Sequence, residues 1–153
     1  MLELLHDSVE IKRRIVSADP CERGIRKALN LGHTAGHAFE EFALSGGCPV
    51  PHGAAVAHGL LAEMVIAHLS IGFPSAELYR YAAWLRANYA PVRFTCEDYP
   101  RLLGLMAHDK KNASPDAINF TLLAAPADPR IDCTATPSEI TAALDIFRDL
   151  ISC

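Results

Sequence analysis

The five cysteines, Cys21, Cys48, Cys96, Cys133 and Cys153, are odd in number, and no two lie closer than twenty residues. That sparsity argues against a disulfide framework and against a cysteine-based zinc motif, and a reducing, cytoplasmic setting is expected. Basic residues are few and scattered. Fourteen Lys and Arg stand against 18 Asp and Glu, with Lys12-Arg13-Arg14 as the one dense run, so no nucleic-acid surface is expected. The longest apolar stretch, residues 54–71, is interrupted by His58, Glu63 and His68, so it reads as a buried helix and no membrane span is expected. A basic start followed by an apolar stretch and a small-residue cleavage site is also missing, which argues against secretion. Neither an internal repeat nor a low-complexity tract is present.

What is there is a chain of 153 residues, 50% hydrophobic, with a net charge of −4: the profile of one mildly acidic domain around one core. A chain of this length buries about two thirds of its unfolded surface, so it needs no disulfide or metal staples. It has no room for a nucleotide-binding sheet domain beside a helical one.

Apolar residues at helical spacing predict helices over 2–16, 22–44, 52–71, 75–88 and about 97–108. Asp19-Pro20 separates the first two, because the residue before a proline is pushed out of the helical region. The loop 45–51, rich in Gly and Pro, separates the second from the third. Residues 118–123 read as a strand, paired across a turn at 126–130 with 131–134. Thr136-Pro137-Ser138-Glu139 is a capping box with Pro at the first helical position, so a final helix should run to Leu150. The expected fold is a single, mainly α domain over 1–153 with one small β-hairpin.

Four of seven histidines, His33, His37, His52 and His58, fall within 26 residues. His33 and His37 share one helix face, Glu40 extends it, and His52 can fold back from the loop, so these imidazoles suit a borderline metal such as Zn²⁺. His6, His58 and His68 read as structural. Gly32 and Gly36, four residues apart in a helical pattern, require something packed closely on that face, either another helix or a ligand. Glu22, Arg26, Asn30, His33 and His37 form a nearly continuous polar stripe that reads as a site lining. Asp109-Lys110-Lys111-Asn112 reads as a solvated helix end or as an anion site.

Glu22-Arg23-Gly24-Ile25-Arg26, then Leu29-Asn30-Leu31-Gly32-His33-Thr34-Ala35-Gly36-His37-Ala38-Phe39-Glu40, then His52-Gly53-Ala54-Ala55-Val56-Ala57-His58-Gly59 and Asp109-Lys110-Lys111-Asn112 carry a further signal. Together they resemble the C-terminal domain of 3-dehydroquinate synthase, in the wider sugar-phosphate cyclase group. The resemblance implies that His33 and His52 are two of three ligands to a divalent metal, zinc or alternatively cobalt. It reassigns His37 from ligand to an active-site histidine that moves protons. It further implies that Lys12, Arg26 and Asn30 contact substrate, that Glu22 supports them, and that Lys110 and Lys111 close over it.

The implied reaction converts 3-deoxy-D-arabino-heptulosonate 7-phosphate, an anionic sugar phosphate, to 3-dehydroquinate and phosphate with bound NAD, in the shikimate pathway of aromatic amino acid biosynthesis. The resemblance also implies a homodimer. The third metal ligand, a glutamate, and the NAD-binding α/β domain would lie upstream of these residues. The chain is therefore expected to be a fragment, inactive alone. Ala54 and Ala35 depart from the family pattern, where an acidic and an aromatic residue are common. Rival readings are another sugar-phosphate cyclase, an iron-containing alcohol dehydrogenase-like domain, and a non-catalytic helical interaction domain. A simple alcohol substrate would not need the cations at Lys12, Arg26, Lys110 and Lys111.

Overall fold

A computed structural model describes residues 2–108 and 117–152. Among these residues six α-helices and one hairpin follow in the order α1 (Leu2–Ala18), α2 (His33–Ser45), α3 (His52–Ile71), α4 (Ser75–Asn88), α5 (Tyr99–Ala107), β1 (Ile118–Ala125), β2 (Asp128–Ala135) and α6 (Pro137–Ser152). Short 3₁₀ turns occupy Ile25–Asn30 and Cys96–Asp98. The architecture is mainly α with one small antiparallel hairpin, the expected class.

The helix α3 is the centre of the core. It is apolar on all sides and must therefore be enclosed on all sides, and α2, α4, α6 and β1 pack around it. By length and composition it could cross a membrane, yet residues 61–67 are buried without a break. Gly72, in the left-handed conformation (φ 78°), ends it, and the N–H groups of Gly72 and Phe73 both donate to the Ala67 carbonyl. On the other layer, β1 turns Ile118, Phe120 and Leu122 inward at period two, and α6 contributes Ile140, Ala143, Leu144, Phe147 and Leu150 from one stripe. Phe39, Phe94 and Phe147 stack at centroid distances of 5.3–5.8 Å, joining α2 to α6. The capping box forms as expected: Thr136 N–H donates to Glu139 (2.8 Å) and Glu139 N–H to Thr136 Oγ1 (3.3 Å).

Two expectations are corrected. Residues 22–44 do not form one helix, because Gly32 takes φ 77° and splits the segment into a 3₁₀ turn and α2. The hairpin turn is also tighter than 126–130. Ala127 takes a left-handed φ of 64°, which lets the chain reverse over 126–127 and puts 128–130 into β2.

The partner that Gly32 and Gly36 required is another helix. A Cβ on Gly36 would lie 2.9 Å from Val56 Cα, and one on Gly59 would lie 2.2 Å from the Gly32 carbonyl oxygen. The glycines let α2 and α3 touch backbone to backbone. Gly53, by contrast, has nothing within 4 Å of its Cβ position.

Candidate functional site

The α2–α3 contact brings three imidazoles together. His33 begins α2, His37 follows one turn later, and His52 begins α3 after the Pro-rich loop has reversed the chain. Ring centroids lie 5.4 Å (His33–His37), 5.7 Å (His33–His52) and 5.6 Å (His37–His52) apart, and one ligand nitrogen from each lies within 4.8 Å of the others. His33 is half-buried, while His37 and His52 are exposed.

Two of the rings are oriented through Nδ1. His33 Nδ1 is 3.0 Å from the Leu31 carbonyl, and His52 Nδ1 is 2.9 Å from Glu40 Oε2. Both partners are acceptors, so in the neutral form of each ring they favour the proton on Nδ1, which leaves Nε2 as the lone-pair nitrogen a metal would use. A divalent ion about 2.1 Å from each nitrogen would require the ring nitrogens closer together than the 4.8 Å within which they lie here. The donor set therefore fits a borderline metal. It suits three imidazoles, or His33 and His52 with His37 beside them. His58, by contrast, is buried, with Nδ1 2.8 Å from the Ala54 carbonyl, and burial pushes its pKa below the usual value.

His37 and Glu40 line an open pocket of about 600 Å³, and Thr34, which also lines it, borders a second cleft of about 310 Å³ lined in part by Glu22, Lys27, Asn30, Asn119 and Asp132. Beside Glu22, the Asp19 carboxylate holds the loop by accepting the backbone N–H groups of Arg23, Gly24 and Arg26, which keeps its pKa below the usual carboxylate value. Glu22 takes φ 55° and accepts a 2.7 Å hydrogen bond from Asn30 Nδ2. Asp132, across the cleft, takes φ 56° and holds Lys27 Nζ at 2.7 and 2.8 Å. Two non-glycine residues in the left-handed region on one cleft are strained positions of the kind that cluster at functional sites.

The anticipated polar stripe is thus two groups, Glu22 with Asn30 in the cleft and His33 with His37 at the metal cluster, separated by the break at Gly32. Arg26 lies beside Glu22, its Nη1 2.8 Å from the Pro20 carbonyl and its Nε 3.9 Å from the Glu22 carboxylate. Lys12 lies exposed on α1, whose neighbours Arg13 and Arg14 are engaged by Glu10. Lys110 and Lys111 fall outside the described residues. Sequence reasoning passed over Lys27, Asp132, Thr34 and Asn119, for which no local spacing gave a signal. It also assigned nothing to Glu63, although a lone carboxylate in an apolar helix was a visible one.

Comparison with known proteins places these groups in context. A family model described as 3-dehydroquinate synthase C-terminal matches residues 1–112. A 3-dehydroquinate synthase of Parabacteroides distasonis is 44% identical over 95% of this chain and 41% of its own length. One from Oceanobacillus iheyensis is 39% identical over 82% of this chain and 34% of its own. A bifunctional shikimate kinase/3-dehydroquinate synthase of Thermotoga maritima is 38% identical over 71% of this chain and 21% of its own. The chain thus spans about two fifths of the Parabacteroides relative and less of the other two. Among solved structures, 2-deoxy-scyllo-inosose synthase, complexed with carbaglucose-6-phosphate, NAD⁺ and Co²⁺, matches with a TM-score of 0.72 at 20% identity, over 92% of this chain and 38% of that one, a likeness of fold.

Proposed function

Because the chain belongs to the 3-dehydroquinate synthase family, we propose that it supplies the metal- and substrate-binding half of that enzyme. The whole protein would convert 3-deoxy-D-arabino-heptulosonate 7-phosphate to 3-dehydroquinate with loss of phosphate. NAD would bind in an N-terminal domain of the same protein. The observation that carries this reading is the convergence of His33, His37 and His52 within 4.8 Å, with His37 lining an open pocket, in a member of this family.

In this reading His33 and His52 hold the divalent metal, zinc or cobalt, with a third ligand from outside the chain. When bound, the metal supplies Lewis-acid chemistry, lowering the pKa of a coordinated hydroxyl. His37, exposed at the cluster's edge, takes and returns a proton at a ring nitrogen. Asn30, fixed by Glu22, offers hydrogen bonds to substrate hydroxyls from the cleft wall. Arg26, beside Glu22, with Lys12, Lys110 and Lys111, supplies positive charge for a phosphate and a carboxylate. Cytoplasmic location and a homodimer belong to the same reading, supported by the dispersed cysteines and by the family resemblance. Family membership also favours it over the alcohol dehydrogenase-like and purely structural alternatives.

The test is a cobalt titration of the chain followed by visible absorption, with His33→Ala and His52→Ala as comparison. One site that disappears in both variants is expected. Binding unchanged in both would overturn the ligand assignment. The same chain, given zinc, NAD and substrate, should release no phosphate. Turnover at the rate of an intact synthase would overturn the proposed division of labour.

A further inference from the structure

The contact between α2 and α3 contains a carboxylate to which the proposed chemistry gives no task. Glu63, on α3, is 1% exposed. Its Oε2 accepts a 2.6 Å hydrogen bond from Gly32 N–H and its Oε1 a 3.2 Å bond from Ala35 N–H. A carboxylate inside a protein is costly unless donors satisfy it. Here the donors belong to the cap and third residue of α2, the positive end of its dipole, where an anion is favoured. Gly59, one turn earlier on α3, has no side chain, and that allows α2 close enough for Glu63 to reach both groups. Gly32 contributes the left-handed φ of 77° from which α2 departs.

His33 lies between the two bonded residues. We infer that Glu63 is the positioning residue of the metal centre: by gripping the backbone on both sides of His33, it sets the direction from which that imidazole enters the cluster. With both bonds in place the first turn of α2 cannot fray or rotate, and the His33 ring stays within reach of the Leu31 carbonyl at 3.0 Å. Released, the Gly32 and Ala35 N–H groups would leave a buried helix start unsatisfied, and the ring would lose its fixed origin. This rests on the reading of His33 as a metal ligand.

The experiment uses the chain with Glu63→Ala and Glu63→Gln, the latter keeping one acceptor oxygen but losing the second. Leu102→Ala, which removes a buried side chain of α5 and leaves Glu63 and its two hydrogen bonds in place, serves as a control for lost stability. Two readouts are taken at a temperature where all variants are folded by circular dichroism. In the metal-free chain, ¹⁵N NMR of the His33 ring should show a single Nδ1–H tautomer in the parent and in Leu102→Ala, and a mixed tautomer in Glu63→Ala. In the cobalt titration Glu63→Ala should bind at least tenfold more weakly with an altered absorption band, Glu63→Gln should fall between, and Leu102→Ala should stay within threefold of the parent.

An unchanged tautomer and unchanged affinity in the Glu63 variants would overturn the inference, as would an equal loss in Leu102→Ala. If Glu63→Ala does not fold, Glu63→Gln decides by the same criteria. If the parent binds no cobalt while the tautomer still responds to Glu63, the ligand reading fails and the positioning stands. If the parent binds cobalt and the tautomer does not respond, the reverse holds.

Discussion

His52 Nδ1 and Glu40 Oε2 are 2.9 Å apart, a contact that ties the first residue of α3 to the middle of α2. It decides which nitrogen of His52 faces its two neighbours, because a proton shared with the carboxylate leaves Nε2 as the donor. Carboxylate partners of this kind are typically worth about 10–100-fold in metal affinity. Glu40→Ala should therefore weaken cobalt binding by about that factor, and Glu40→Gln, which keeps an acceptor, by less. Calorimetric titration of the three proteins checks it, and equal affinities would show that the contact is incidental.

The roles of His37 and His33 separate in a second titration. If His37 moves protons and does not ligate, His37→Ala should keep cobalt affinity within about threefold of the parent, whereas His33→Ala should lose more than the tenfold that about 1.4 kcal/mol represents. Loss in His37→Ala as large as that in His33→Ala would make the site a three-imidazole centre in this chain.

Packing gives opposite signs at two glycines. A Cβ on Gly59 would meet Gly32 O at 2.2 Å and Gly36 N at 2.4 Å, both backbone atoms that cannot swing aside. Gly59→Ala should cost about 3 kcal/mol or more, lowering the melting temperature by roughly 6–12 °C. Gly104, inside α5, has nothing within 4 Å, so Gly104→Ala should stabilise by about 0.5–1 kcal/mol through helix propensity. Thermal melts of both variants check the pair. A Gly59→Ala melting point within a degree or two of the parent would refute the backbone contact.

His58 makes stability depend on pH. Burial holds its folded pKa below the unfolded value of 6.5, so above that pH both states are neutral and the group contributes no slope. As pH falls through 6.5 the unfolded chain takes up a proton that the folded chain refuses, and stability drops until the folded pKa is reached. His58→Gln lacks this loss. The stability gap between parent and variant should therefore narrow between about pH 7 and pH 5, as read by urea denaturation at each pH. A constant gap would show that His58 titrates normally.

Much of the scaffold was legible in the sequence because its punctuation is local. Pro51 and Gly72 bracket α3, Pro74 precedes α4, and both helices fall where periodicity and these residues put them. The break at Gly32 was not legible, since residues 25–44 are helical in composition and what marks the break is a left-handed backbone packed against Val56 and Leu60 of α3. The same holds for the site. His33 and His37 announce themselves by spacing, and His52 by the loop before it. Glu63 needs the helix crossing, and Asp132 needs the hairpin, before either has a partner. Spacing reports neighbours within an element; it is silent about groups that meet only when elements pack.

The cleft has a consequence for the order in which the molecule acquires its shape. Lys27 is held by Asp132, 105 positions later; Thr121 donates to the Lys27 carbonyl and Thr34 to that of Asn119. Every one of these ties closes a loop of 85 residues or more. Loop closure on that scale precedes its reward and slows the step that depends on it. The cleft is therefore assembled by slow, non-local contacts, and it is complete only once the hairpin has docked against the Ile25–Asn30 turn and α2.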